Sequence, residues 1–156
     1  MRLQMLAILV VALFSATAHW SHAAENGKGC DLVTKEEVEK ITGERIDKVE
    51  VQSGYGNCLY HRNVNIFGQR VQAPLVTVGY TKSDVQARWN YWNSRPDKEV
   101  VHGLGDGAVW SPGDAFLVCR IKGGLLMISV WGSDEKTKKK RIAVSLAKIA
   151  VPRVRP

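Results

Sequence analysis

The residues best suited to nucleophilic chemistry in this sequence are one cysteine and two histidines. Cys119 with His61 or His102 could form a thiol–imidazole pair, in which the imidazole accepts the proton of the thiol. Cys119 nevertheless alternates in phase with Leu117 and Ile121 along a very apolar segment. This pattern favours a buried, inert thiol, because free cysteine behaves as a small hydrophobic residue. The histidines and carboxylates show no metal-ligand spacing, so no metal or cofactor is predicted.

A glycine-rich segment, Gly103-Leu104-Gly105-Asp106-Gly107, is a second candidate site. It lacks the lysine and the spacing of phosphate-binding loops, and it leads into strands rather than into a helix. The composition favours a tight structural turn, in which glycines adopt positive φ and Asp106 accepts hydrogen bonds from nearby amides. A binding role for the rim of this loop, with Trp110 beside it, is the alternative.

A basic run in the last predicted helix is the candidate for an anion-binding surface. Its members are Lys136, Lys138, Lys139, Lys140 and Arg141. Such a run could contact anionic lipid or nucleic acid, although it is more often a solvated helix face. Cations near a helix N-terminus also oppose the macrodipole. The aromatic–basic interleaving of single-strand binders is missing from the sequence, so no specific nucleic-acid binding is predicted.

Two tryptophans, Trp89 and Trp92, lie three positions apart on a predicted helix, with Tyr91 between them on another face. Aromatic residues at helical spacing usually pack against the core, and that is the prediction here. The functional alternative is an exposed aromatic platform for a sugar or a partner.

The N-terminus predicts export. Met1 and Arg2 precede an apolar run from Leu3 to Ala18, and Ser21-His22-Ala23 offers a small-x-small cleavage signal. The expectation is a cleaved signal peptide over 1–24 and a single mature domain over 25–156. A membrane span needs about 20 apolar residues, and this run is shorter, so no transmembrane segment is predicted in the mature form. The predicted location is periplasmic or secreted.

The net charge indicates which partners the protein can bind, and the cysteines indicate whether a disulfide forms. The formal net charge is +7, and a basic surface in the envelope can contact an anionic lipid or polymer or an acidic protein. Three cysteines, Cys30, Cys58 and Cys119, in an oxidising compartment predict pairing. A Cys30–Cys58 bridge would contribute roughly 3–4 kcal/mol in the chain-entropy model and would leave Cys119 unpaired.

The elements that must position these residues alternate between helices and strands. The sequence predicts helices that begin at capping boxes on Thr34 and Ser83 and near Ser133, ending near Gly43, Asn93 and Ala150. Strands are predicted over 45–52, 58–64, 75–80, 100–101, 115–121 and 125–131, with 65–73 left as a loop or a frayed strand end. This order predicts an α+β domain, with an antiparallel or mixed sheet of about five to seven strands against three helices.

Three motifs resemble those of a broad set of uncharacterised bacterial exported proteins. They are Cys30-Asp31-Leu32-Val33-Thr34 with Glu36-Glu37-Val38, then Cys58-Leu59-Tyr60, then Val101 to Trp110, which is similar to V-x-G-L-G-D-x-A-x-W. The resemblance implies export, a bridge between the first and second cysteines, and the α+β fold of the PsbP-like extrinsic proteins of photosystem II. It implies no activity.

The leading functional prediction is therefore an exported, non-enzymatic accessory domain that binds an envelope protein or an anionic polymer or lipid surface. One alternative is an envelope enzyme that uses His102, Asp106 or Cys119. Another is an inhibitor or immunity protein against a secreted toxin.

Overall fold

A computed structural model describes residues 28–52, 56–132 and 135–154, so the predicted signal peptide lies outside the described residues. The described helices are α1 Lys28–Leu32, α2 Lys35–Thr42, α3 Val85–Asn93 and α4 Lys136–Arg153. The strands are β1 Lys48–Gln52, β2 Asn57–Ile66, β3 Gln69–Thr81, β4 Glu99–Val100, β5 Gly107–Ser111, β6 Phe116–Ile121 and β7 Gly124–Val130.

The seven strands form one sheet in the order β1-β2-β3-β7-β6-β5-β4, and every neighbouring pair is antiparallel. The predicted α+β class and strand number are confirmed. Helix α1 is additional to the three predicted helices. It begins at Lys28, so Cys30 lies within a helical turn rather than before the first helix.

The two faces of the sheet carry two separate apolar clusters because side chains alternate along each strand. On β6, Leu117, Cys119 and Ile121 join the main core, whose helical part includes Ile142 and Leu146 of α4. Val118, between them, joins a smaller cluster on the other face, where Trp89 and Trp92 of α3 pack. The fold is therefore a sheet with α4 on one face and the short α3 on the other.

The start of α2 is held both by a local capping box and by an ion pair with the far end of α4. The Thr34 hydroxyl accepts from the Glu37 amide, and the Glu37 carboxylate accepts from the Thr34 amide, so the predicted capping box is confirmed. The same carboxylate accepts two hydrogen bonds from the Arg153 guanidinium, at 2.6 and 2.7 Å. Arg153 and the Thr34 amide hold the pKa of Glu37 down at about 2. The end of α4 is thereby joined to the start of α2.

The predicted bridge between Cys30 and Cys58 is present, with a Cα–Cα separation of 4.9 Å. It joins α1 to β2 at a place where helix and sheet approach closely. A Cβ atom on Gly29 would overlap the Val78 carbonyl oxygen, so only glycine allows this contact. Cys58 is fully buried in the core.

Local predictions differ from the structure at four places. The capping box at Ser83 is wrong, because Asp84 is the N-cap residue of α3 and its side chain makes no capping hydrogen bond there. Asp84, with φ of 52°, lies between Ser83 and the first helical residue, Val85, so Ser83 does not occupy the N-cap position. The last helix continues past Ala150 to Arg153 and includes Pro152. Strand β5 was not predicted, and residues 65–73, expected as a loop or a frayed strand end, are the paired ends of β2 and β3 with a turn at Phe67-Gly68.

Candidate functional site

Cys119 lies in the core and is fully buried. Burial raises the pKa of its thiol to about 12. His61 occupies the opposite face of the sheet, since it alternates along β2 with the core residues Cys58 and Tyr60. The fold therefore does not bring Cys119 and His61 together as a thiol–imidazole pair.

We expect iodoacetamide to leave Cys119 unlabelled in the native protein at pH 8, because a buried thiol with a pKa of about 12 supplies almost no accessible thiolate. Intact-mass measurement before and after addition of denaturant provides the readout. Denaturation without reductant should release one alkylatable thiol, and peptide mapping should assign it to Cys119. Stoichiometric labelling of the native fold would contradict the buried position.

The glycine-rich loop makes contacts that account for its composition within the fold. Gly105 has φ of 54°, and a Cβ there would overlap the Arg120 carbonyl oxygen. The Asp106 amide donates to that carbonyl at 2.7 Å. The Asp106 carboxylate accepts from the Lys122 amide at 3.2 Å. Asp106 thus fastens the loop to the β6–β7 turn, while Gly103 and His102 are exposed beside it.

Trp110 is buried and does not lie at the rim of this loop, where the alternative binding role placed it. Its side chain is only 1% exposed and belongs to the main core under α4. The reason is its position in β5, where Ala108 and Trp110 share the core-facing side of the strand. A surface ligand at the loop would not reach it.

The basic run occupies the first turns of α4. Lys138, Lys139 and Lys140 are half-buried, Arg141 is exposed, and Lys140 forms an ion pair with Glu99 at 2.5 Å. The C-terminal end of α4 lies beside the loop, since the Lys122 ammonium donates to the Val154 carbonyl. Lys138 is sixteen positions before Val154, about 24 Å along α4, whereas Glu99, the partner of Lys140, is four positions before Gly103. The two predicted binding surfaces are thus fastened to different partners, the loop to Lys122 and Lys140 of the basic run to Glu99.

The tryptophans of α3 are half-buried against the sheet. Trp92 stacks on Phe116 with ring centroids 4.6 Å apart, and Trp89 lies under the Arg120 guanidinium. Arg95 forms an ion pair with Asp114 at 2.8 Å, which joins the end of α3 to the β5–β6 connection. The predicted packing role is confirmed by these contacts, and Tyr91 remains 55% exposed.

Strands β2 and β3 continue beyond the rest of the sheet as a two-stranded arm, residues 62–73. β1 pairs with β2 only as far as His61, and β7 pairs with β3 only from Val76 onward. From Arg62↔Ala73 to Ile66↔Gln69 the two strands pair only with each other. The arm extends about 17 Å from Arg62 to its turn.

The base of the arm is held firmly to the domain. The Arg62 guanidinium donates to the Glu44 carboxylate at 2.6 Å and to the Gly132 carbonyl at 2.9 Å. The Asn63 amide donates to the Asp47 carboxylate at 2.9 Å. These bonds tie the β2 strand of the arm to the loop after α2 and to the end of β7, so the arm projects from a fixed base.

The tip of the arm is apolar and exposed. Phe67 and Gly68 form a two-residue turn with φ of 50° and 81°, and Phe67 is fully exposed. Ile66 and Val71 beside it are 48% and 41% exposed. Val64 and Val71 are cross-strand partners, so they share one face of the arm with Ile66. Polar residues occupy the other face: Asn63, Asn65, Arg70 and Gln72.

The arm also lies within the longest stretch of the described domain that has no carboxylate. Residues 51–83 contain no Asp or Glu and include Arg62, Arg70 and Lys82. This surface was not among the candidate sites predicted from the sequence, although two signals for it are present there. One is this charge pattern, and the other is the alternation of Val64, Ile66 and Val71 around a Phe-Gly pair.

Within the described ranges, no group of three metal-ligating side chains is placed to hold a metal ion. No helix in those ranges is long and apolar enough to cross a bilayer. Comparison of the chain with protein-family models, with curated proteins and with solved structures gave no match.

Proposed function

We propose that this protein is an exported, non-enzymatic domain that binds an anionic component of the cell envelope through the β2–β3 arm. The observation that supports this most is the arm itself: a carboxylate-free ribbon that carries Arg70 near its tip, projects from a fixed base and exposes apolar side chains. Export is supported by the predicted signal peptide and is compatible with the disulfide, which persists in oxidising compartments.

Binding is favoured over catalysis by the positions of the candidate catalytic groups. Cys119 is enclosed in the core, and burial raises the pKa of its thiol. The Asp106 carboxylate accepts a hydrogen bond from the β6–β7 turn. An exposed apolar surface of this kind on a soluble domain is typical of interaction sites. The formal net charge of +7 favours anionic partners over cationic ones. It also makes the association sensitive to salt.

The test compares two single charge reversals in the mature, disulfide-bonded chain. Arg70→Glu lies on the arm, and Arg141→Glu lies on the basic run of α4, where the residue is likewise exposed. Retention on polyphosphate resin and on peptidoglycan sacculi is measured as a function of salt. We expect Arg70→Glu to weaken binding at least about fivefold and Arg141→Glu to change it much less.

Each possible result decides the proposal. Salt-sensitive binding that depends on Arg70 supports the arm as the recognition element. Binding that depends on Arg141 instead would move the function to α4 and overturn the assignment to the arm. No retention on any anionic matrix at low salt would overturn the proposed function, and one tight stoichiometric protein partner would favour the inhibitor alternative.

A further inference from the structure

We infer that the partner of the arm is an anionic lipid bilayer, with Phe67 and its apolar neighbours inserted between headgroups and Arg70 on the lipid phosphates. This inference rests on the proposed function and names the component that is bound. It assigns a binding role to the turn of the arm, residues 66–71.

The first argument is the residue type at the turn. Positive φ at both central positions is the pattern of a type I′ hairpin turn, which favours Asn-Gly and disfavours bulky residues at the first position. Phe67 adopts this conformation at φ of 50° while its ring contacts solvent on all sides. The fold gains no packing from the ring and bears the backbone strain. The β6–β7 turn has the same pattern, with the polar Lys122 at the equivalent position.

The second argument is the arrangement of apolar groups behind the turn. Ile66, Val71 and Val64 continue from Phe67 along one face, while the opposite face is polar. Val64 and Val71 lie about three residues from the turn, so the apolar length is about 10 Å. Interfacial elements bury their apolar faces to a similar depth of about 5–10 Å at the boundary of headgroups and acyl chains.

The third argument is charge. Arg70 pairs with Asn65 in the second pair from the turn and lies on the polar face of the arm, the side that an arm with its apolar face inserted turns toward the headgroup phosphates. Since residues 51–83 contain no Asp or Glu, no carboxylate of the arm opposes an anionic surface. A second copy of the arm carries no carboxylate with which Arg70 could pair, so an anionic bilayer complements the charge of this surface better than a second copy does.

The test uses a substitution that suits the turn. Phe67→Asn supplies the residue that a type I′ turn prefers, so the hairpin should fold at least as well as before. We expect this variant to bind vesicles of phosphatidylglycerol and phosphatidylcholine about tenfold more weakly in sedimentation assays, because the largest inserted group is lost. Tyr91→Asn, which removes an exposed aromatic ring from α3, is the matched control and should bind as the wild type does.

A spectroscopic probe reports insertion directly. Because Cys119 is buried and the other two cysteines are bridged, Phe67→Cys should carry the single reactive thiol of the native protein. An environment-sensitive fluorophore on that thiol should shift to shorter wavelength with anionic vesicles and much less with pure phosphatidylcholine. The same fluorophore on Tyr91→Cys should not shift.

The outcomes separate this inference from the proposed function. Equal vesicle binding by the wild type and Phe67→Asn, or no fluorophore shift, would overturn the lipid assignment. Retention on polyphosphate or peptidoglycan without vesicle binding would overturn it while leaving the proposed function intact. A concentration-dependent dimer that Phe67→Asn abolishes would identify the arm as a self-association surface instead. Failure to bind any anionic surface would overturn both.

Discussion

Replacing Trp110 by alanine should lower the free energy of unfolding by about 3–5 kcal/mol. The side chain is 1% exposed and lies in the main core on the core-facing side of β5, so its removal loses apolar burial and leaves a cavity. Because a domain of this size is stable by about 5–15 kcal/mol, the variant should be close to the limit of folding at 37 °C. Urea unfolding followed by circular dichroism measures the change.

The matched control is Trp131→Ala, which removes the same type of side chain from a position that is 49% exposed. This variant should lose about 1 kcal/mol or less, since surface substitutions rarely cost more. Similar losses for the two variants would contradict the placement of Trp110 in the core and would reopen its role at the glycine-rich loop.

Loss of the Cys30–Cys58 bridge should lower the free energy of unfolding by roughly 3–4 kcal/mol. The two cysteines are separated by 28 positions, and the bridge removes the freedom of that loop from the unfolded chain. The double variant Cys30→Ala/Cys58→Ala should fold, because the rest of the core remains, but with a clearly lower denaturant midpoint. Chemical denaturation at constant pH measures the difference.

Reductant provides the control for this prediction. It should lower the stability of the wild type to about that of the double variant and leave the double variant unchanged. A wild type that keeps its stability in reductant, while its thiols are shown to be free, would mean that the bridge contributes little and that contacts of α1 with the sheet carry the N-terminal region.

Predictions that depend on contacts between residues close in sequence were confirmed more often than predictions that depend on distant contacts. The capping box at Thr34 and Glu37 was predictable because its donors and acceptors lie three residues apart. The same pattern at Ser83 failed because Asp84 adopts a left-handed conformation in a turn that leads α3 to the far face of the sheet. Residues 65–73 could not be assigned, since their pairing depends on a Phe-Gly turn with an unusual residue type.

The sequence by itself determined the class of the fold, the apolar face of β6, the buried state of Cys119 and the basic character of the domain. These properties depend on local periodicity and composition, which are written along the chain. Only the tertiary structure decided that Trp110 is a core residue, that Lys140 of the basic run pairs with Glu99, and that β2 and β3 project beyond their neighbours. Those facts depend on which strands pair and where each pairing ends. Strand pairing is in turn set by contacts between residues far apart in sequence.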